Sequence, residues 1–153
     1  MITLGQFVLN VSPSFSLSRG RRGKDIIFKD ADHSVAWKIY IELATRISLE
    51  PLHDDEGVEE AALNSLHGLF QKMRGIIREG GPEAREAAKL GIFVMNRVMR
   101  PFLAKWHKIT QDGPYDEKTK EQFRAELKEL QKSMRGYSEA LLELMGIDDG
   151  LKI

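Results

Sequence analysis

The chain contains no cysteine, which excludes a disulfide scaffold, a thiolate metal site and a thiol nucleophile. It also lacks an excess of either charge, with 23 basic side chains against 23 acidic ones. Proteins that draw in polyanions through their overall field lean basic, so whole-molecule steering toward nucleic acid or a membrane is not indicated. Long apolar runs are missing too. No stretch approaches the roughly 20 residues of a membrane-spanning helix. Met1 to Val11 has no basic n-region and no sustained apolar core, which argues against a signal peptide. There is no Walker-type phosphate loop, no Gly-x-Gly-x-x-Gly, and no Glu-x-x-His pair of the kind that builds a di-iron centre in a bundle. Ser12, Ser14, Ser16 and Ser18 have no partnered His and acid, so serine nucleophile chemistry has no support. The expectation is a cytoplasmic protein with no membrane segment, no metal and no cofactor.

What is present is ordinary globular composition, 42% hydrophobic and 30% charged over 153 residues, enough for one domain with a real core. Residues 1–30 differ from the rest. Ile2, Leu4, Phe7, Val8, Leu9 and Val11 partly alternate, Phe15 and Leu17 alternate with serines, and Gly20-Arg21-Arg22-Gly23 precedes Ile26-Ile27-Phe28. The pattern predicts a short β-like arm or hairpin, which must pack on the remainder or pair with another chain because a lone hairpin is marginal in water. Its cations, Arg19, Arg21, Arg22, Lys24 and Lys29, either solvate a β edge or contact a phosphate or an acidic partner.

From Asp32 the period becomes helical. Asp32 or Ser34 is the expected cap of a first helix with the stripe Val35, Ile39, Leu43 and Ile47, ended by Pro51. Lys38, Glu42 and Arg46 are spaced for pairing along its surface. A second helix runs from about Val58 to Glu79, with Leu63, Leu66, Phe70, Met73 and Ile77 as its stripe. Gly80-Gly81-Pro82 stops it, and Pro82 suits the first position of the next. A third helix covers roughly Glu83 to Thr110, and a fourth runs from about Asp116 to Met145. The fourth has the heptad Phe123, Leu127, Leu130, Met134, Tyr137, Leu141 and Leu144, with Gly146 as its stop. Four long helices with modest connections predict an all-α, antiparallel up-down-up-down four-helix bundle over 31–146, preceded by the arm at 1–30 and followed by a tail at 147–153.

The third helix is apolar nearly all round, which predicts a central position. Yet it carries Lys89, Asn96, Arg97, Arg100, Lys105, His107 and Lys108, with no acid between Glu86 and Asp112. At 100° per residue Lys89, Asn96, Arg100 and His107 fall within about 20° of one line, if Pro101 bends the helix without breaking it. Pro101 removes the bond to the Arg97 carbonyl and predicts a kink there. Buried cations need partners. One set of candidates is internal, Glu126, Glu139 and Glu143 of the fourth helix or Glu42 of the first. The other is an external anion such as phosphate, carboxylate or nucleic acid, held by Asn96, Arg97, Arg100, Lys105 and His107 with Trp106 beside them.

Arg100 and His107 also fit the Arg-x4–6-His pattern of HEPN ribonucleases, α-helical bundles of this length. There His serves as general acid or base and Arg holds charge on phosphate. The pattern is short, Arg46 and His53 match it as well, and Pro101 stands where HEPN proteins usually carry a polar residue. His53, Asp54, Asp55 and Glu56 are consecutive rather than spaced as metal ligands. His67 and His33 carry no ligand spacing. Trp37, Tyr40 and Trp106 are expected as core or interface anchors.

Two segments, Trp37-Lys38-Ile39-Tyr40-Ile41-Glu42-Leu43-Ala44-Thr45-Arg46 and Asn96 to His107, resemble a set of small bacterial helical proteins from multi-gene conflict or phage-defence loci. The similarity spans most of 26–146. It implies a bacterial cytosolic setting and a protein partner, and it assigns no role to any single residue. Two functional classes follow. The first is a non-enzymatic protein-interaction module, an adaptor or accessory subunit that docks on itself or on another protein through the arm, the heptads and the Met-rich faces. The second is an anion site on the third helix for a phosphate, nucleotide or RNA, with a HEPN-like ribonuclease as its catalytic extension. Side chains capped by fourth-helix carboxylates in a closed core weaken the second reading, and convergence on an open cleft strengthens it.

Overall fold

A computed structural model describes residues 27–46 and 58–147. The basic arm residues Arg19, Arg21, Arg22 and Lys24, the acidic run His53 to Glu56, Ile47 and Pro51, and the tail 148–153 all lie outside the described residues.

Among the described residues the chain is all helical, with four helices and no strand. Helix α1 spans Asp30–Ala44 and α2 spans Glu59–Gly80. Helix α3 covers residues 85–111 in three stretches: α-helical Arg85–Val94, π-helical Met95–Met99 and α-helical Arg100–Gln111. Helix α4 is Glu117–Leu144. A 3-10 turn, Pro82–Ala84, leads into α3 with Pro82 at its start, where a missing N–H costs nothing.

The N-terminus of α1 departs from expectation. Lys29 is the N-cap, and Asp32 lies inside the first turn. Asp32 is nonetheless the anchor of two helix ends. Its Oδ2 accepts from the Lys29 N–H at 2.9 Å, while Oδ1 accepts from the Glu86 and Ala87 N–H groups at 3.1 and 2.9 Å. The buried carboxylate thereby satisfies orphan donors of α1 and of α3 together and sits at the positive end of both dipoles. At the other end α1 stops at Ala44 rather than running to Pro51. The Thr45 hydroxyl donates to the Ile41 carbonyl at 2.8 Å, a local bond that competes with continuing the helix.

Helices α1 and α3 each touch all three other helices, and α1 buries Val35, Ala36, Ile39, Tyr40 and Leu43 among them. Trp37 is 41% exposed, because it sits on the opposite side of α1 from that stripe. Along α4 all seven heptad residues are buried. The end of α4 is a Schellman turn: Gly146 at φ +69 donates to the Glu143 carbonyl and Ile147 to Leu142, both at 3.0 Å. Gly146 takes the left-handed conformation that a side chain resists, and Ile147 packs back on the core. Where α2, α3 and α4 approach, Gly91 leaves room for Ile77 and the Tyr137 hydroxyl; a Cβ there would lie 2.8 Å from Ile77 Cδ1.

Trp106 is fully buried and forms the aromatic centre between α3 and α4, with ring centroids 4.9 Å from Phe123, 5.6 Å from Tyr115 and 6.2 Å from Phe102. Near the start of α2 a second tie reaches α4, where Arg124 Nε donates to Glu59 Oε1 at 2.9 Å.

The Pro101 disturbance takes a definite form. The Arg100 N–H donates to the Met95 carbonyl, five residues back. The π turn therefore absorbs the break just before Pro101, which then occupies the first turn of the resumed α-helix and needs no donor. The straight α-helix assumed for the basic line does not exist, and the two halves of α3 are out of phase with one another.

Candidate anion-binding cleft between α2 and α3

The π turn divides the predicted stripe. Lys89 stays apart near the start of α3, paired with Glu86 at 3.0 Å. None of Asn96, Arg97, Arg100, Lys105 and His107 is buried, so the requirement of a buried internal partner falls away.

Toward α4 runs an open groove of about 650 Å³, floored by Val98, Pro101, Phe102 and Leu130, with Arg97 and Lys105 on one wall and Glu126 and Glu129 on the other. Here Lys105 is paired with Glu126, and its ammonium lies 5.3 Å from the Trp106 ring centroid. Glu126 also accepts from Trp106 Nε1 at 3.0 Å and from Gln122 at 3.1 Å. Partial burial alone would raise the Glu126 carboxyl, but the hydrogen bonds from Lys105, Gln122 and Trp106 outweigh it and hold the group below its usual range. Trp106 and Lys105 thus belong to a satisfied internal network. Arg97 shares the groove without joining it.

Toward α2 lies a smaller cleft of about 390 Å³. Arg74 and Arg78 line it from α2, and Asn96 and Arg100 from α3, around an apolar floor of Phe70, Ile77, Ile92 and Met95. Arg100 donates through Nε and Nη2 to Asn96 Oδ1 at 3.1 and 3.0 Å. Its guanidinium carbon stands 5.4 Å from the Phe70 ring centroid, and that of Arg74 stands 5.7 Å from the same centroid. One aromatic ring therefore holds a guanidinium from each helix, both within cation–π range. No carboxylate lines the cleft, and among the described residues none of the three arginines has an ion-pair partner. Asn96 fixes the plane of Arg100 and leaves Nη1 uncommitted. Guanidinium edges match the oxygens of phosphate or carboxylate.

Beyond the cleft His107 meets His67 of α2 edge to face, with centroids 5.8 Å apart. Arg100 and His107 are two turns apart on the resumed α-helix, about 10 Å along its axis. The His67 Nε2 is buried and has no hydrogen-bond partner among the described residues. Burial first, and the neighbouring His107 second, push the His67 imidazole below its ordinary value. Glu42, expected as a further internal partner, pairs instead with Arg46 at 3.0 Å, and Lys38 reaches Glu79. No three His, Asp or Glu side chains among the described residues converge as a metal site.

Of the predicted set, the cleft brings Asn96 and Arg100 together, and sends Arg97, Lys105 and Trp106 to the opposite face. Arg74, Arg78 and Phe70 were not expected as site residues. Their spacing of four and four, 70-74-78, puts them on one line of α2 and was the available signal.

No protein-family model, no curated protein and no solved structure matches the chain.

Proposed function

We propose that the protein is a binding module whose α2/α3 cleft receives an anionic, phosphate-bearing ligand. One observation carries this reading: arginines from two helices gather on the Phe70 ring with no carboxylate among them. Structural arginines are ordinarily paired, as Arg124 is with Glu59. Thermal unfolding in the presence of phosphate, nucleotides and short RNAs tests it. A ligand at about 100 times its dissociation constant adds roughly 2.7 kcal/mol, several degrees for a domain of this size. The expected result is such a shift in the wild type and its loss in Arg100→Ala. The reading fails if no anion shifts the transition.

The antiparallel up-down-up-down topology belongs to the same proposal, supported by the short connections at 81–84 and 112–116 and by α1 packing on both α2 and α4. A second reading, docking on a protein partner or another copy of the chain, is favoured by Trp37 and Ile41, 41% and 40% exposed beside a shallow groove at Gly75 and Ile76. If that face associates, Trp37→Lys lowers the sedimenting mass of the wild type to that of a monomer. Identical sedimentation of both as monomers removes self-association.

A further inference from the structure

The chemistry around the arginines narrows the ligand class. This step rests on reading the α2/α3 cleft as an anion site. We infer that the ligand is a phosphate monoester carrying a short aliphatic body, rather than a polynucleotide.

Proteins that hold single-stranded nucleic acid offer exposed aromatic faces on which bases stack. The only aromatic ring in this cleft is Phe70, which is 8% exposed, and its surroundings are taken by the guanidinium groups of Arg74 and Arg100. No ring face is left for a base. What remains beside the arginines is aliphatic. Ile92 is 48% exposed and forms the cleft wall together with Ile77 and Met95. An isoleucine held half in water next to three cations gains nothing from an inorganic ion, but it can cover a hydrocarbon chain attached to one. The volume, about 390 Å³, is that of a small-ligand site rather than of a nucleic-acid channel. Charge points the same way. A phosphate monoester has a second pKa near 6 and is dianionic above it, so it answers several guanidinium groups better than a carboxylate of the same length.

The same headgroup chemistry occurs on a free alkyl phosphate and on a phospholipid surface. The inference commits to the free ligand, because the recess lies between two helices and its apolar wall is short.

Isothermal titration of the full chain at fixed ionic strength, with inorganic phosphate, hexyl phosphate, hexanoate, an RNA octamer and phosphatidic acid vesicles, tests the assignment. Each fully buried methylene is worth roughly a fourfold gain in affinity. Hexyl phosphate is therefore expected to bind at least about tenfold tighter than inorganic phosphate and tighter than hexanoate. Ile92→Ser, a change at an exposed position, removes the gain and leaves phosphate binding in place, and Arg100→Ala removes both. Equal affinity for hexyl and inorganic phosphate overturns the aliphatic assignment and leaves the anion site standing. Tighter binding of the RNA, with affinity falling steeply in salt, or binding confined to the vesicles, also overturns it. Silence toward every probe overturns the anion site itself.

Discussion

On the side of α3 that faces α4, Lys105 meets Glu126, and Glu126 meets Trp106 and Gln122. On the side that faces α2, Arg100 meets an asparagine and an aromatic ring, and the other charged side chains that line the cleft are arginines. The residue types are alike, and the helix is the same. The difference lies in whether an acid is built opposite. Where it is, the cation has little free energy left to offer a ligand, since displacing Glu126 would cost three hydrogen bonds. Where it is not, the guanidinium groups keep unused donors, which on the proposed reading are what an anion would meet. A cationic stripe is thus uninformative until its partners across the interface are known.

The contrast can be broken from either side. Trp106→Ala, on the paired side, carries the largest expected effect. The side chain is fully buried among Phe102, Tyr115 and Phe123, and its loss costs about 3–5 kcal/mol, read as a lower denaturant midpoint. Next is Asp32→Ala, which orphans the N–H groups of Lys29, Glu86 and Ala87. A loss of roughly 2–3 kcal/mol is expected, with hydrogen exchange at Glu86 and Ala87 rising first. Glu126→Gln is smaller, about 1 kcal/mol at neutral pH. Its effect has a sign that pH exposes. Glu59 and Glu126 both titrate below their ordinary value in the folded protein. Burial works against this in each, and the bonds to Glu59 from its own backbone N–H and from Arg124, and to Glu126 from Lys105, Gln122 and Trp106, prevail. Their stabilisation is complete above the unfolded glutamate value near 4.3 and is lost as pH falls through the lowered folded values. Wild type and Glu126→Gln should therefore converge in stability in acid, and a constant gap would show that charge is not the cause. Smallest of all is Arg100→Ala on the unpaired side, within about 0.5 kcal/mol of the wild type in denaturant unfolding, although it abolishes the ligand response. A destabilisation as large as that of Asp32→Ala would make Arg100 structural and erase the distinction between the two faces.

Local rules made much of the fold legible. The seven heptad residues of α4 are its buried face, Pro82 opens the turn into α3, and Gly146 closes α4, because each depends on neighbours within a turn or two. Asp32 was legible only as a cap. Its bonds to Glu86 and Ala87 span more than fifty residues, and nothing near Asp32 announces them. The site was half visible for a related reason. Asn96 and Arg100 stood out because acids are absent around them, but Arg74 and Arg78 sit in a helix of mixed charge and gain their meaning only from α3 across the cleft. The basic line itself failed at one point. It assumed a constant 100° per residue, and the π turn before Pro101 breaks that count.

That turn makes α3 a helix written in two frames. A π turn takes up one extra residue, so deleting one residue from 95–99 would restore an unbroken α-helix and leave Arg100 to Gln111 on their present faces, whereas inserting one would turn that half by about 100°. After such an insertion Trp106 would swing off Phe123, His107 off His67 and Arg100 off Phe70, although none of those residues had been changed. Met95 and Met99 are buried and constrained by packing, but for the half of α3 beyond them the constraint is on the number of residues, and a single insertion is equivalent to mutating an entire face.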